Sequence, residues 1–394
     1  MENRKRLKIG IFMDNFYPSI DGVVLVVDNL AKMLSKFNDV TVIVPYSSSY
    51  DEDFIRPYKV IRISSFHIIS TEYRIGKIKT RFSKVYQNLL NEKFDVIHIH
   101  SPFTIGRLGL KIAKKQNIPS IATMHTRFDF EVRKIIDNKF IVNSVIKKII
   151  KVYNDCDKCI AVNNAMINVY KSYGYKYNPV VIYNGTDLLP LKNKEKNIKM
   201  INKLYDLDED EIVFLFVGRI TEIKNIFFIL DSLKLLKDSG FKFKMIFVGS
   251  GPDERKLKLK IEKYNMHSDV ILTGKITDRL ILSSVYARAD LLLFPSLFDA
   301  SSLVQIEAAV NETPGLFIES SVTADTIIND VNGFTSKLDL TLYKNRIIDI
   351  ISNRKLLKNV SIKSKKMLAK NWASIADETY NLYLNEINKN NLIE

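Results

Sequence analysis

The chain has 394 residues, 46% hydrophobic and 26% charged, enough apolar material for two cores at roughly 100–200 residues per domain. It has no run of about 18 apolar residues, so no transmembrane helix is predicted, and Cys156 and Cys159 have no second Cys-x-x-Cys pair with which to build a structural zinc site. Its net charge of +15 is uneven: residues 1–190 carry 29 basic and 17 acidic side chains, residues 191–394 carry 30 and 27, so the first half either faces an acidic partner or is a solvated lysine-rich surface.

Met1 to Lys8 is charged and runs into a strand rather than a signal-peptide core, which predicts a cytosolic protein. Ile9–Met13 reads as a buried strand and 22–37 as a helix, with Val23, Val26, Val27, Leu30 and Leu34 at helical spacing. Val40–Val44 and Val96–His100 are strands, Gly106–Lys115 is a helix, and Ser120–Met124, Cys159–Val162 and Val180–Tyr183 are strands. The cysteine pair precedes a strand rather than opening a helix, so ordinary buried thiols are expected. After a junction near 185–205 the pattern restarts. Strands are expected at 212–217, 244–248, 270–273 and 291–294, and helices at 224–239, 253–265, 301–310, 342–352 and 360–388. Strands alternating with helices predict two consecutive doubly wound α/β domains.

In such sheets ligands bind beyond the carboxyl ends of strands, so the residues that follow strands carry the chemistry. Gly22 opens the first helix, where a backbone amide can meet an anion; a plain helix-start turn is the alternative. His100 and His125 each follow a strand and can bond a substrate or serve structurally. Arg219 follows the first strand of the second half and Lys224 opens the next helix, a pairing suited to a diphosphate. Gly249 and Gly251 form a Gly-x-Gly turn, and no P-loop pattern is present. Asp299 and Glu307 bracket a loop and a helix start. Both can accept from sugar hydroxyls, while Asp299 can equally be a helix N-cap.

These stretches, in this order, resemble the family 4 glycosyltransferases with the two-domain GT-B fold, over about residues 8–386. The match rests on Asp14–Val23, Phe94–Phe103, Ile118–Phe128, Val181–Asp187, Val217–Asn225, Val248–Pro252, Phe294–Pro314, Asn332-Gly333-Phe334 and Trp372. The resemblance implies two Rossmann-like domains facing each other across a cleft: an acceptor-binding domain (1–190), a nucleotide-sugar-binding domain (191–365) and a helix crossing back (366–394). It implies diphosphate contacts from Arg219 and Lys224 and a ribose contact from Glu307. Asp299 stands where the family's first Glu faces the donor sugar, Gly22 lies near the phosphates and His125 lies beside the sugar. Gly251, Ser302 and Leu303 fall in the donor-binding segments, and Lys275 and Ile276 fall where backbone reads the base. Asp299 for Glu, and Glu312 for the usual Gly before Pro314, depart from the pattern near the donor sugar.

Relatives of this pattern retain the anomeric configuration and need no protein nucleophile. No cofactor is obligatory and no metal is expected, because two cationic side chains neutralise the diphosphate. The implied catalytic set is His125, Asp299, Arg219 and Lys224. The Asp14–Val23 and His100–Phe103 stretches look most like bacterial diacylglycerol glucosyltransferases, which implies UDP-glucose as donor and a lipid as acceptor. Residues 140–153 offer an apolar face beside Lys147, Lys148 and Lys151, and 56–84 add Arg56, Lys59, Arg62, Arg74, Lys77, Lys79, Arg81 and Lys84. Such faces suit an anionic membrane surface; the alternative is that 140–153 packs on the sheet with its lysines in water. On the first reading the protein is expected at the inner face of the cell membrane, with His100 and Phe103 near the acceptor. A transferase building capsular or cell-wall polysaccharide is the alternative, and a catalytically inactive binding protein is the third reading. Nucleic acid is not expected, because aromatic and basic residues do not interleave on one strand.

Overall fold

The computed structural model describes residues 4–19, 21–47, 52–67, 74–76, 84–133 and 136–392. They form two compact units, one of Met1–Gly185 with Asn371–Glu394 and one of Thr186–Lys370.

The first unit is built on a seven-stranded sheet. Its strands are β1 (Lys8–Phe12), β2 (Asp39–Pro45), β3 (Lys59–Ile63), β6 (Val96–Ile99), β7 (Ser120–Met124), β8 (Lys158–Ala161) and β9 (Val180–Val181), in the spatial order β3-β2-β1-β6-β7-β8-β9. Every pairing within it is parallel. A separate antiparallel pair joins β4 (Ser65–His67) to β5 (Arg74–Gly76). The second unit's six-stranded sheet runs β12-β11-β10-β13-β14-β15, with β10 (Val213–Val217), β11 (Lys244–Val248), β12 (Val270–Gly274), β13 (Leu291–Phe294), β14 (Gly315–Ile318) and β15 (Phe334–Ser336). Its pairings are also all parallel.

The physical cause lies in the strand sequences. Val213–Val217 (VFLFV) and Leu291–Phe294 (LLLF) are buried at every position. Such continuous apolar runs are stable only with helices on both faces of the sheet. Sheet order reverses between β1 and β6 in the first unit and between β10 and β13 in the second. At these switch points the flanking helices leave to opposite faces, and a crevice opens beyond the strands' carboxyl ends.

Two expectations are corrected. The single helix at 360–388 is two, Arg354–Leu368 and Trp372–Asn391. The chain passes between the units there: Lys370 accepts from the Thr186 amide, and Asn371 restarts the helix by accepting from Ser374 N at 2.9 Å. The passage is tight, because a Cβ on Gly185 would lie 2.9 Å from the Asn371 backbone. The junction at 185–205 is also not all linker, since Lys194–Tyr205 is a helix packed on the helix Arg279–Arg288. Its polar composition hid a short buried face carrying Ile201. Strands β3, β14 and β15 also went unread.

Candidate functional site

In the first unit the β1 and β6 ends carry a buried polar cluster. Asp14 follows β1 and is almost fully enclosed. Its carboxylate accepts from Thr104 Oγ1 (3.0 Å), Ile105 N (2.7 Å), Gly106 N (3.2 Å) and Ser101 Oγ (2.6 Å). These amides open the helix Thr104–Gln116, whose own N-cap residue, Phe103, supplies no side-chain bond. Asp14 is therefore that helix's cap, delivered from another element, and burial still raises its carboxyl above the ordinary value. Asp21 caps the helix Gly22–Leu34 through Val24 N, and no atom lies within 4 Å of where a Gly22 Cβ would stand.

The loop between Asp14 and Gly22 is braced from behind. Asp28 accepts from Tyr17 (2.9 Å), Lys32 (2.9 Å), Arg56 (2.7 Å) and Tyr58 (2.5 Å). The Arg56 guanidinium also lies 4.2 Å from the Tyr17 ring centre and 5.3 Å from that of Phe16. Arg56, expected as part of a membrane-facing basic patch, is thus a buried ion-pair partner. Arg62 pairs with Asp53 and Lys59 with Glu92. Lys77, Lys79 and Arg81 lie outside the described residues.

Three histidines gather under the sheet's carboxyl edge. His98 Nδ1 is 2.7 Å from Tyr383 Oη and its Nε2 is 2.7 Å from Thr123 Oγ1. His100 Nδ1 is 2.9 Å from His125 Nε2, while His100 Nε2 is buried without a partner. Burial drives all three far down: His98 and His125 to about 3, and His100 well below its ordinary value. All three rings are neutral at physiological pH. His100 is 3% exposed, so it lies inside the unit and not at its surface. Phe103 is 40% exposed and meets Phe128 edge-on. Lys147, Lys148 and Lys151 are exposed on the helix Lys139–Asn154, whose Ile146, Ile149 and Ile150 pack inward while Phe140 and Ile141 face outward.

In the second unit, the loop after β10 meets the loop after β13 at the switch point. Lys224 pairs with Asp299, and Asn225 Nδ2 donates to Pro295 O at 2.7 Å. Asp299 Oδ2 is buried without a hydrogen bond. Asp299 is not the N-cap; Ser302 is, accepting from Gln305 N at 3.3 Å before the helix Leu303–Val310. Serine directly before the first helical residue wins this position because its short side chain reaches back to the third amide. Arg219 is exposed on the first of these loops. Glu307 sits one turn into the helix. It accepts from Tyr286 Oη at 2.9 Å and faces Arg279 at 3.4 Å, and Arg279 also pairs with Asp187. Burial raises the Glu307 carboxyl, with Arg279 and Tyr286 opposing.

The Gly-x-Gly turn has a structural cause. A Cβ on Gly249 would fall 1.9 Å from Gly218 O, and one on Gly251 2.2 Å from Ile220 O. The two loops cross at backbone contact, so these glycines serve the protein's own chain. Lys275 is exposed and Ile276 half-buried after Gly274. Glu312 adopts φ +62°, where the resemblance has Gly, and holds Lys194 (2.7 Å) and Lys365 (2.8 Å). Among the described residues no group of three or more His, Cys, Asp or Glu side chains could hold a metal. Cys156 and Cys159 are buried free thiols bonded to carbonyls of Val152 and Tyr153. Asp14, His98, Asn225, Arg279, Tyr286 and Tyr383 escaped the sequence reading. Only Asp14 and His98 carried a signal, a polar residue in or just past a buried apolar run.

Comparison with known proteins gives a consistent picture. The model described as "Glycosyltransferase Family 4" matches residues 20–188, and that described as "Glycosyl transferases group 1" matches 197–367. An alpha-monoglucosyldiacylglycerol synthase of Acholeplasma laidlawii is 28% identical over 401 residues, covering 98% of each chain. The enzyme of the same name from Streptococcus pneumoniae is 26% identical, over 78% of this chain and 70% of that one. The Anabaena protein HepE, solved in complex with UDP and glucose, superposes with a TM-score of 0.75 at 15% identity, over 96% of this chain and 99% of that one.

Proposed function

We propose, for a chain that belongs to the family 4 glycosyltransferases of GT-B fold, that it moves glucose from UDP-glucose to a membrane lipid of the diacylglycerol class with retention of configuration. The observation that carries this reading is the Lys224–Asp299 pair at the β10/β13 switch point, with one Asp299 oxygen buried and unmet. It joins a cation suited to a departing diphosphate with an acceptor suited to a sugar hydroxyl. The likeness to two glucosyldiacylglycerol synthases supports the acceptor.

In this reading the second unit holds the donor. Arg219 and Lys224 neutralise the diphosphate, Glu307 accepts from the ribose, and Gly251, Lys275, Ile276, Ser302 and Leu303 border the nucleotide. The first unit takes the acceptor, with an amide at Gly22 and an imidazole at His125 as its hydrogen-bonding groups. The acceptor hydroxyl oxygen bonds the anomeric carbon as the carbon–oxygen bond to the diphosphate breaks on the same face, and the hydroxyl proton passes to the departing diphosphate, so no protein nucleophile intervenes. The chain's work is to stabilise charge on the leaving group and to align the acceptor. Phe140 and Ile141 are exposed at the start of the helix Lys139–Asn154, and Lys147, Lys148 and Lys151 are exposed further along it. That composition suits peripheral contact with an anionic leaflet.

The test is transfer from a panel of nucleotide sugars, with and without anionic vesicles containing diacylglycerol. Turnover of UDP-glucose only with vesicles, lost in Arg219→Ala and Lys224→Ala, is the expected result. Turnover indifferent to vesicles moves the acceptor to a glycan, and absence of turnover with every donor overturns the reading.

A further inference from the structure

The three buried histidines are not equivalent. Both nitrogens of His98 are met by hydroxyls, Tyr383 and Thr123. His98 therefore cannot also bond His100, although their rings lie 4.1 Å apart. Among the described residues His100 and His125 bond each other, through His100 Nδ1 and His125 Nε2, and no carboxylate bonds either ring. Two atoms remain at the ends of this pair. His100 Nε2 is buried with no partner. His125 Nδ1 has no hydrogen bond among the described residues either, but it is not among the fully enclosed atoms, and the residue as a whole keeps 9% exposure.

Each neutral imidazole carries one N–H, so a single proton lies between the rings and fixes the other two nitrogens. If His125 Nε2 donated, His100 would carry its proton on Nε2, a buried N–H with nothing to receive it. If His100 Nδ1 donates, His100 Nε2 is a buried lone pair, and His125 carries its proton on the open Nδ1. Orphaned buried donors are the rarer and costlier defect. We propose that His100 is a positioning residue for His125: its Nδ1–H donates to His125 Nε2 and holds His125 as the Nδ1–H tautomer. His125 then presents a hydrogen-bond donor, not a base, to an oxygen of the substrate. This rests on the transferase reading only for what His125 meets; the tautomer itself does not depend on it.

Long-range ¹H–¹⁵N spectra of ¹⁵N-histidine-labelled protein report each ring nitrogen directly. In the wild type, His125 should show a protonated Nδ1 and an unprotonated Nε2. His100→Phe removes the donor, so His125 should shift toward the Nε2–H form, and kcat should fall about tenfold or more with the donor KM little changed. His100→Asn places an amide nitrogen near the lost Nδ1 and should restore the tautomer and much of kcat. A wild-type His125 protonated on Nε2 overturns the proposal. So does a folded His100→Phe protein with unchanged tautomer and kcat. If no nucleotide sugar is turned over by any variant, the transferase reading fails, and the spectra alone still decide the role of His100.

Discussion

Acidification should destabilise the first unit from about pH 7 downward. Burial holds His98 and His125 at about 3 and His100 lower still, against an ordinary 6.5. Below 6.5 the unfolded chain binds protons that the native state refuses, so stability falls with pH by about 1.36 kcal/mol per unit for each ring. The loss begins near the unfolded value and continues down to the folded one. From about pH 7.5 to 5.5 each ring removes about 1.4 kcal/mol, and the three together about 4 kcal/mol. That is a large part of a typical 5–15 kcal/mol stability. Asp14, raised by burial, acts in the opposite sense, so the histidine contribution is best read as a difference. Urea unfolding across this range should show the wild-type slope, and His98→Phe should flatten it by about 1.4 kcal/mol whatever its own baseline stability. Parallel slopes for the two proteins, or native-state ring resonances of His98 titrating near 6.5, would refute the reasoning.

Other measurements bear on particular contacts. Glu312→Ala should cost about 1 kcal/mol, because its two lysine pairs are partly solvated, whereas Glu312→Gly should fall within about 0.5 kcal/mol of wild type by relieving the positive φ; urea midpoints decide. Lys194 and Lys365 hold the Glu312 carboxyl at about 2, so its stabilisation is present above 4.5 and should fade as pH drops toward 2. Asp14→Ala leaves the first turn of Thr104–Gln116 uncapped and buried, and should cost about 2–4 kcal/mol by the same assay. The thiols of Cys156 and Cys159, the latter pushed up to about 12, should ignore Ellman's reagent until the protein unfolds.

Where a property follows from neighbours along the chain, the sequence disclosed it. Val213–Val217 announces a doubly covered strand, and the polar residues after such strands mark the switch points. Contacts across long separations were silent. His98 meets Tyr383 and Asp187 meets Arg279 through topology alone, and no local pattern encodes either. Asp299 shows the middle case: its place in a loop was legible, but its bond to Lys224 needed two strands to lie side by side. Glu312 read as a departure from a glycine pattern. Only the lysines of two distant helices explain why a charged side chain is kept in a left-handed backbone conformation.

The return of the Trp372–Asn391 helix to the first unit orders events on the ribosome. That helix packs on Gly22–Leu34 and gives His98 its Tyr383 partner. Between them lies all of Thr186–Lys370. At roughly 5–20 residues per second, about 185 residues take about 10–40 s to make. Through that interval the nascent first unit holds one flank of its opening helix uncovered, while the second unit, contiguous in sequence, can close on itself. The unit begun first is therefore the one completed last.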